Sequence, residues 1–287
     1  MTLKDKLWKI PFVLQSHLPF RFLPDRFYLS CTFRGLMKQK LDWNNPETFN
    51  EKMQVLKLRM TSPEYTEWVD KYAAKKKAAQ IIGSRHVIPT LGYYGSLEEF
   101  EADRLNLPEK YVLKTTHNSG GVWIIDHEHP FDDRIREEVR KNLNQNYYNQ
   151  WRELPYKNVK PALIAETFMG RDLKDYKIFC FHGKPEIILV CSERSTELKE
   201  DFFNVEWNHL DMKREKHPNA DMIPEKPEHL EQMLEISEKL SASFEFVRVD
   251  LFEIDGEICF GELTFSPACG FEGFVPGDWD KKMGSWI

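Results

Sequence analysis

The chain has 287 residues, of which 41% are hydrophobic and 13% aromatic, so it can bury a sizeable core in one large domain or in two to three subdomains. A net charge of −6 and the absence of a recognisable reader motif argue against a nucleic-acid-binding protein. The sequence shows no signal-peptide pattern at its start and no apolar run of roughly 18 residues, so we expect a cytoplasmic protein without a membrane-spanning helix.

Cysteine usage supports the same compartment. The five cysteines are odd in number, show no C-x-x-C spacing and mostly lie in apolar runs, which is typical of reduced core cysteines. They are Cys31, Cys180, Cys191, Cys259 and Cys269.

The first 40 residues are basic and aromatic. They contain eight Lys or Arg residues but only two acids, Asp5 and Asp25. This pattern allows contact with an anionic membrane surface or a polyanionic substrate, and it equally allows a helical segment whose aromatic residues pack on the main domain. The basic residues are Lys4, Lys6, Lys9, Arg21, Arg26, Arg34, Lys38 and Lys40.

Two helices are predicted next. The first runs from Pro46 to Leu58, with Thr48 as N-cap and Glu51 three residues later. The second is predicted as one continuous helix from about Pro63 to Ile82, ended by Gly83. A short strand and loop then begin at Ile88, and residues 97–104 suit a further helix.

Residues 111–126 predict a hairpin with a polar, Gly-rich tip. Lys114 ends the first strand, and the tip contains Ser119, Gly120 and Gly121. Backbone N–H groups in such a turn can bind phosphate oxygens beside a lysine, although a simple turn is the alternative. The pattern differs from a Walker A loop, because here the lysine precedes the glycines and a strand follows them.

The following segments alternate strand and loop. A buried strand over 161–170 carries Glu166 at its exit, and residues 175–190 predict a second hairpin turning at 182–184. Residues 195–227 are polar and lack periodicity, which indicates a long irregular loop. Residues 228–244 then predict an amphipathic helix.

The most informative segment is the hairpin over 246–270. Strand side chains alternate between two faces, so Arg248 and Asp250 share a face on the first strand, as do Glu262 and Thr264 on the second. The two pairs meet only if the turn at Asp255–Gly256 has three residues with a bulge, which we predict. A half-exposed hairpin with solvated charges is the alternative interpretation.

The order of these parts resembles the ATP-grasp superfamily and, within it, the TupA-like branch (teichuronopeptide biosynthesis protein-like), over roughly residues 40–287. The most specific match is Arg248-Val-Asp250 followed by Glu262-Leu-Thr264-Phe-Ser266-Pro267. Asp70-Lys71 opening a helix, the strand lysine Lys114, the Glu166-Thr167-Phe168 exit and Asp175 follow in the family order. The branch signature is Pro46-Glu-Thr-Phe-Asn50-Glu-Lys52.

The resemblance implies roles for individual residues around ATP and Mg²⁺. It places Lys71 and Lys114 on the nucleotide phosphates, under a loop formed by Ser119, Gly120 and Gly121. It places Glu166, Thr167 and Phe168 at the adenine, with Asp175 on the ribose and Lys177 also at the nucleotide. It assigns Asp250, Glu262 and Thr264 to the metal, with Thr264 standing where the family usually has asparagine, and Arg248 and Lys114 to catalysis.

The implied fold is α/β (α+β), with antiparallel sheets sandwiching the nucleotide. We expect a helical, basic and aromatic segment over residues 1–65 and the first part of the core over 66–110. A lid subdomain with the Gly-rich loop is expected over 111–165, and a C-terminal subdomain with the metal site over 166–287.

The implied activity is ATP-dependent formation of an amide through an acyl phosphate. By resemblance, a hexuronic acid of a capsular polysaccharide or O-antigen precursor supplies the carboxylate and an amino acid the amine, with an amino-acid carboxylate as the alternative. A basic N-terminus suits peripheral contact with the inner face of the membrane. An ATP-grasp kinase, another glycan-modifying transferase, and a nucleotide-binding protein without catalysis are the alternatives.

Overall fold

The computed structural model describes residues 22–170, 173–193 and 197–287. Nine α-helices occur in these ranges: α1 Asp25–Met37, α2 Phe49–Arg59, α3 Pro63–Val69, α4 Lys71–Ile82, α5 Leu97–Asp103, α6 Asp133–Leu143, α7 Tyr148–Trp151, α8 Leu230–Ser241 and α9 Asp278–Gly284. The strands there are β1 Thr90–Tyr94, β2 Tyr111–Thr115, β3 Val122–Ile125, β4 Leu163–Thr167, β5 Asp175–Phe181, β6 Lys184–Ser192, β7 Lys199–Asn204, β8 Lys213–Arg214, β9 Phe246–Ile254, β10 Glu257–Thr264 and β11 Phe274–Val275.

Two antiparallel sheets organise the fold. The larger has five strands in the order β10-β9-β5-β6-β7, and the smaller has four in the order β1-β4-β2-β3. A two-stranded pair of β8 and β11 adds a third, minor sheet. The predicted mixture of helices and antiparallel sheets is confirmed, because each of the predicted hairpins forms in the structure.

Each main sheet has its own core. The larger core contains the inner faces of β5, β6 and β9, with Met233 and Leu240 of α8 and Phe49 of α2. Phe49 is 1% exposed and contacts the rings of Phe179 and Phe246. The smaller core joins α5 and α6 to the four-stranded sheet. Both sheets are therefore stabilised by burial of apolar side chains, and the charged residues between them are not needed to form either core.

Helix α2 begins as predicted. The Thr48 hydroxyl accepts a hydrogen bond from the Glu51 amide, and the Glu51 carboxylate accepts one from the Thr48 amide. This reciprocal pairing satisfies two amides that the helix leaves without partners.

The prediction of a single helix over Pro63–Ile82 is wrong, because the helix is interrupted at Asp70. This residue is extended, with φ −74° and ψ 114°, and its carboxylate accepts hydrogen bonds from the amides of Tyr72 and Ala73, each 2.9 Å long. Aspartate competes with helical backbone for hydrogen bonds and is a favoured N-cap. Lys71 thus opens α4, and Gly83 ends it with φ +94°, as predicted.

The irregular loop predicted over 195–227 is also only partly right, since β7 and β8 lie within it. Two fully buried acids hold the segment. Arg214 donates two hydrogen bonds to the Glu200 carboxylate, while Asp201 accepts one from the Ala220 amide at 3.0 Å. Charged pairs contribute no apolar periodicity, which explains why the sequence pattern did not indicate order here.

The three-residue turn predicted at Asp255–Gly256 is wrong. Ile254 pairs with Glu257, so the turn has two residues, and both have positive φ, 51° at Asp255 and 79° at Gly256. Two residues of this kind match the twist of the flanking strands.

The extra residue lies instead at Gly261, further along the return strand. The register shifts between Phe260 and Glu262, and beyond the shift Glu262 is opposite Asp250 and Thr264 is opposite Arg248. A Cβ at position 261 would lie 3.0 Å from the Asp250 carbonyl oxygen, so glycine fits this bulge. The predicted grouping of four side chains is therefore confirmed, although a different bulge produces it.

The described part of the N-terminal segment packs on the body of the protein. Tyr28, Leu29 and Phe33 of α1 are buried beside Phe271. Phe27 and the basic residues Arg26, Lys38 and Lys40 are exposed. Lys4, Lys6, Lys9 and Arg21, which carried half of the predicted basic surface, lie outside the described residues. None of the described helices is long and apolar enough to cross a membrane.

We predict that Gly256→Ala destabilises the protein by about 1 kcal/mol, because alanine disfavours the positive φ that this turn requires. The free energy of unfolding from urea titration measures the effect. Glu257→Ala, at the adjacent exposed position, is the matched control and should stay within about 0.5 kcal/mol. Equal stability of Gly256→Ala and wild type would contradict the role assigned to the turn.

Candidate functional site

A cavity of about 410 Å³ lies between the two main sheets. Its walls combine four lysines with four carboxylates, namely Lys71, Lys75, Lys114, Lys177, Glu166, Asp175, Asp250 and Glu262. Ser119 and Gly120 of the Gly-rich loop also line it. The tertiary structure thus brings together nine of the predicted site residues, which are spread between positions 71 and 262 of the sequence, and adds Lys75.

On the side of the smaller sheet, Glu166 of β4 lies between two lysines. Its carboxylate oxygens are 2.5 Å from Lys75 Nζ and 2.6 Å from Lys114 Nζ. Burial alone would raise the pKa of Glu166, but the two lysines outweigh it and lower the pKa. Burial lowers the pKa of Lys75, an effect that Glu166 opposes. This cluster presents a net positive charge to the cavity.

On the side of the larger sheet, Asp250 of β9 is the centre of a second cluster. Arg248 donates two hydrogen bonds to its carboxylate, at 2.6 and 2.7 Å, and Lys177 Nζ donates a third at 2.5 Å. Lys177 also lies 2.7 Å from Asp175. Burial raises the pKa of Asp250, but the opposing effect of Arg248 and Lys177 is larger, so the net pKa is lowered. The carboxylate is therefore ionised and fixed in orientation.

The Gly-rich loop is held at both ends. The Thr115 amide donates to the Gly121 carbonyl at 3.0 Å, and Lys71 donates from its ammonium to the Asn118 carbonyl. Asn142 of α6 binds the loop from outside, since its side-chain oxygen accepts from Thr115 Oγ1 at 2.7 Å and from Asn118 Nδ2 at 2.9 Å. Only the tip, Ser119 and Gly120, is exposed.

Several predicted site residues do not line the cavity. Arg248 lies behind Asp250, and one of its nitrogens donates to Thr264 Oγ1 at 3.0 Å. The Thr167 amide is bonded to the Pro89 carbonyl, and the ring of Phe168 lies 4.2 Å from Lys110 Nζ. Gly121 is covered by Thr115 and Asn142. These five predicted positions, Thr264 included, are not among the residues that form the surface of the cavity.

Sequence reasoning missed Lys75 and the apolar wall. Lys75 follows Lys71 by four positions, which places both on one face of α4, and that spacing was a signal available in the sequence. The apolar wall consists of Ile88, Phe252 and Phe260, which come from three separate segments. No local pattern distinguishes such residues from ordinary core positions.

A family model for TupA-like ATPgrasp proteins matches residues 51–287. The chain belongs to the TupA-like ATP-grasp family. Among curated proteins, a search finds no significant match.

Solved structures similar to this TupA-like chain include two D-alanine–D-alanine ligases. The one from Bacillus anthracis is 17% identical, with a TM-score of 0.40 over 69% of this chain and 57% of that chain. The one from Helicobacter pylori is 19% identical, with a TM-score of 0.39 over 76% and 59%. The ATP-grasp ligase PsnB in complex with a minimal precursor is 13% identical, with a TM-score of 0.40 over 75% and 59%. The chain therefore spans 57 to 59% of the length of these proteins.

The carboxylates of this ATP-grasp chain suit Mg²⁺. Asp250 and Glu262 are directly opposed on β9 and β10, both line the cavity, and the Glu262 side chain is 50% exposed. Magnesium is usually held by one or two carboxylates together with phosphate oxygens and water. Glu262 is the more accessible donor, because Arg248 and Lys177 already bind Asp250. The metal role expected for Thr264 stays a prediction.

We predict that Glu166→Gln destabilises the protein by about 3 kcal/mol at pH 7, because it leaves Lys75 and Lys114 without their counter-charge. Since the folded pKa of Glu166 lies below its unfolded value, the carboxylate stabilises the protein above roughly pH 4. That contribution is lost as pH falls through the folded pKa.

Urea titration at a series of pH values checks this, and the gap between wild type and Glu166→Gln should narrow below roughly pH 4. The exposed substitution Glu109→Gln is the control and should show no such gap. A pH-independent difference would mean that charge pairing is not the cause.

We further predict that two neighbouring glycine substitutions differ in cost. In Gly120→Ala the new Cβ has no atom within 4 Å, so the only cost is the positive φ of +87°, which lowers stability by about 1 kcal/mol. At Gly121, with φ +63°, a Cβ would also overlap Thr115 Oγ1 and lie 2.6 Å from Asn142 Oδ1, so Gly121→Ala should cost about 3 kcal/mol. Thermal and urea unfolding measure both, and equal costs would contradict the packing of this loop on Asn142.

Proposed function

We propose that this protein is an ATP- and Mg²⁺-dependent carboxylate–amine ligase that forms an amide. The observation that supports this most directly is the cavity that pairs the Glu166–lysine cluster on one sheet with the Asp250–Arg248–Lys177 cluster on the other. Such a chamber supplies cations for phosphate oxygens and carboxylates for a divalent metal. The described residues that line it include no nucleophile hydrogen-bonded to a base, which suits chemistry that depends on positioning and charge neutralisation.

The nucleotide is expected to bind with its phosphates at Lys71 and Lys114, beneath the loop of Ser119, Gly120 and Gly121. Phosphate binding requires a charged ammonium group, and burial lowers the pKa of Lys71, which disfavours that charged form. A bound phosphate would favour the charged form, because an opposite charge stabilises an ammonium. Lys75 is linked to Lys114 through Glu166.

The adenine is expected beside the β4 exit, and the ribose near Asp175. Glu166, Thr167 and Phe168 are the adenine-side residues, and because the Thr167 amide is already bonded to Pro89, its neighbours would make the base contacts. Ile88, Phe252 and Phe260 offer the apolar surface that a purine ring requires. Lys177 would lie at the phosphate end, beside Asp175 and Asp250. In subdomain terms, the expected lid over residues 111–165 would cover a nucleotide bound by residues 66–110 and 166–287.

The reaction takes place in two steps. A substrate carboxylate oxygen attacks the γ-phosphorus of ATP, the bond to the ADP oxygen breaks, and an acyl phosphate forms. An amine nitrogen then attacks the acyl carbon, inorganic phosphate leaves, and the nitrogen loses a proton to give the amide. Mg²⁺, held by Asp250 and Glu262, would neutralise phosphate charge when bound. Arg248 would help to stabilise the negative charge that develops on the transferring group from its place behind Asp250, where it donates hydrogen bonds to Asp250 and Thr264.

The proposed substrates follow the family's association with surface polysaccharides. We propose a hexuronic-acid carboxylate of a capsule or O-antigen precursor as acceptor and an amino acid as the source of the amine. Contact of the basic N-terminal segment with the inner face of a membrane would suit a lipid-linked precursor.

The test is an ATP-consumption assay against a panel of uronic acids combined with amino acids. A ligase releases inorganic phosphate only when both a carboxylate and an amine are present, and phosphorus NMR finds no phosphate on the product. Phosphate retained on a hydroxyl would instead identify a kinase. Binding of ATP without turnover by any pair would identify a nucleotide-binding protein without catalysis.

We predict that Arg248→Lys lowers kcat by about 10²- to 10³-fold, because a single ammonium cannot replace the paired donors that hold charge at this position. The KM for ATP should change less than about threefold, since the interaction acts mainly in the transition state. Steady-state kinetics measure both values. Arg59→Lys, at an exposed ion pair with Glu245, is the control, and unchanged turnover in Arg248→Lys would remove the catalytic role.

A further inference from the structure

A second cavity, of about 550 Å³, lies beside the C-terminal part of the chain. It is lined by the end of α1, by Trp151 and by the segment from Ala268 to Asp280. Ala268 is six residues beyond Glu262, which lines the nucleotide cavity, so the chain limits the separation of these two walls to about 20 Å. The two cavities are therefore neighbours in the same molecule.

The inner wall of this second cavity contains a carboxylate without a hydrogen bond to one of its oxygens. Glu272 is 7% exposed, and its Oε1 atom has no hydrogen-bond partner among the described residues. Lys216 Nζ lies 3.8 Å from Oε1 and Arg214 lies 3.7 Å from Oε2, so both ion pairs are longer than a charge-assisted hydrogen bond. Arg214 is in addition committed to Glu200. A buried carboxylate in this state gains from a ligand that donates hydrogen bonds to it.

The branch signature segment builds this wall. Asn50 is 1% exposed, and its side chain donates to the Glu272 carbonyl at 2.8 Å and to Asp280 Oδ1 at 2.9 Å. Its own oxygen accepts from the Glu272 amide at 3.1 Å. One buried amide therefore fixes the backbone of Glu272 and the carboxylate of Asp280. The nucleotide cavity uses no residue of this segment.

Charge is unevenly arranged across the cavity. Glu272 is buried and Asp280 half-buried, and Trp151 and Phe271 line the same cavity. Lys38 and Lys216 lie at the exposed rim, where Glu215 is the one rim acid among the described lining residues. Aromatic faces also attract cations. A ligand with an ammonium group at one end and a carboxylate at the other matches this order of charges.

We propose that the second cavity binds a free amino acid, with its ammonium group toward Glu272 and Asp280 and its carboxylate toward Lys38 and Lys216. In the proposed ligase this ligand is the source of the amine, and that assignment rests on the proposed function. The binding site itself follows from the arrangement of charges and does not depend on the activity.

The experiment is calorimetric titration of the full chain with free amino acids, their N-acetyl derivatives and their α-amides, followed by ADP with Mg²⁺ in the same samples. At least one free amino acid should bind, and its N-acetyl derivative should not. Glu272→Gln should weaken binding of the amino acid and of its amide about tenfold or more, because hydrogen bonds to charged groups are strong.

Lys216→Ala provides a second variant, at an exposed position whose one ion pair among the described residues is with Glu272. It should lower the affinity for the amino acid but change the affinity for its α-amide by less than about twofold, because the amide lacks the carboxylate charge that Lys216 would contact. Glu225→Gln, exposed and outside the cavity, should leave all affinities unchanged. ADP affinity should be equal in the four proteins and confirms that each is folded.

Binding of no free amino acid, equal binding of N-acetyl derivatives, or wild-type affinity in Glu272→Gln would each overturn the proposal. If ADP binds while amino acids do not, only the second site is wrong and the proposed ligase stands. If amino acids bind as expected but ATP turnover never depends on them, the site is retained and its role as the source of the amine is rejected.

Discussion

Pairing of buried charge on each wall of the cleft is the interaction on which the site depends. Asp250 is 2% exposed, and an isolated carboxylate at that depth would be costly. Arg248 and Lys177 compensate it with three hydrogen bonds of 2.5 to 2.7 Å, and they thereby hold a fixed geometry on the floor of the cavity. Glu166 plays the same part on the opposite wall, with Lys75 and Lys114. Removing one partner of such a pair costs more than the pair itself contributes, so each member constrains the others.

These clusters stay in place because apolar packing holds the two sheets separately. The larger core fixes β5 and β9, which carry Lys177 and Asp250, while the smaller core fixes β2 and β4, which carry Lys114 and Glu166. The charged side chains thus meet in the space between two rigid elements. Rigid walls with converging polar groups are what a small-molecule site requires.

The alternation of strand residues and the capping residues in the sequence were sufficient to predict many of the elements of this fold. Strand alternation placed Arg248 with Asp250 and Glu262 with Thr264, and Thr48 with Glu51 indicated the start of α2. The same reasoning failed at Asp70, where a cap inside an apolar pattern divides a helix, and at Gly261, where a bulge within a strand replaces one at the turn. Local patterns predict elements well, but they do not show where a β-bulge lies. A bulge at the turn and a bulge within the strand give the same side-chain pattern until the pairing with the neighbouring strand is known.

The sequence by itself determined the residue types of the site and their order, since carboxylates and lysines at strand ends and in a Gly-rich turn are visible without coordinates. Only the tertiary structure decided which of them meet. Lys75 reaches Glu166 across 91 positions, and Asn50 reaches Glu272 across 222, so neither contact leaves a local signal. The physical reason is that such contacts are selected by the packing of whole sheets, whose free energy is spread over the core rather than encoded in a short segment.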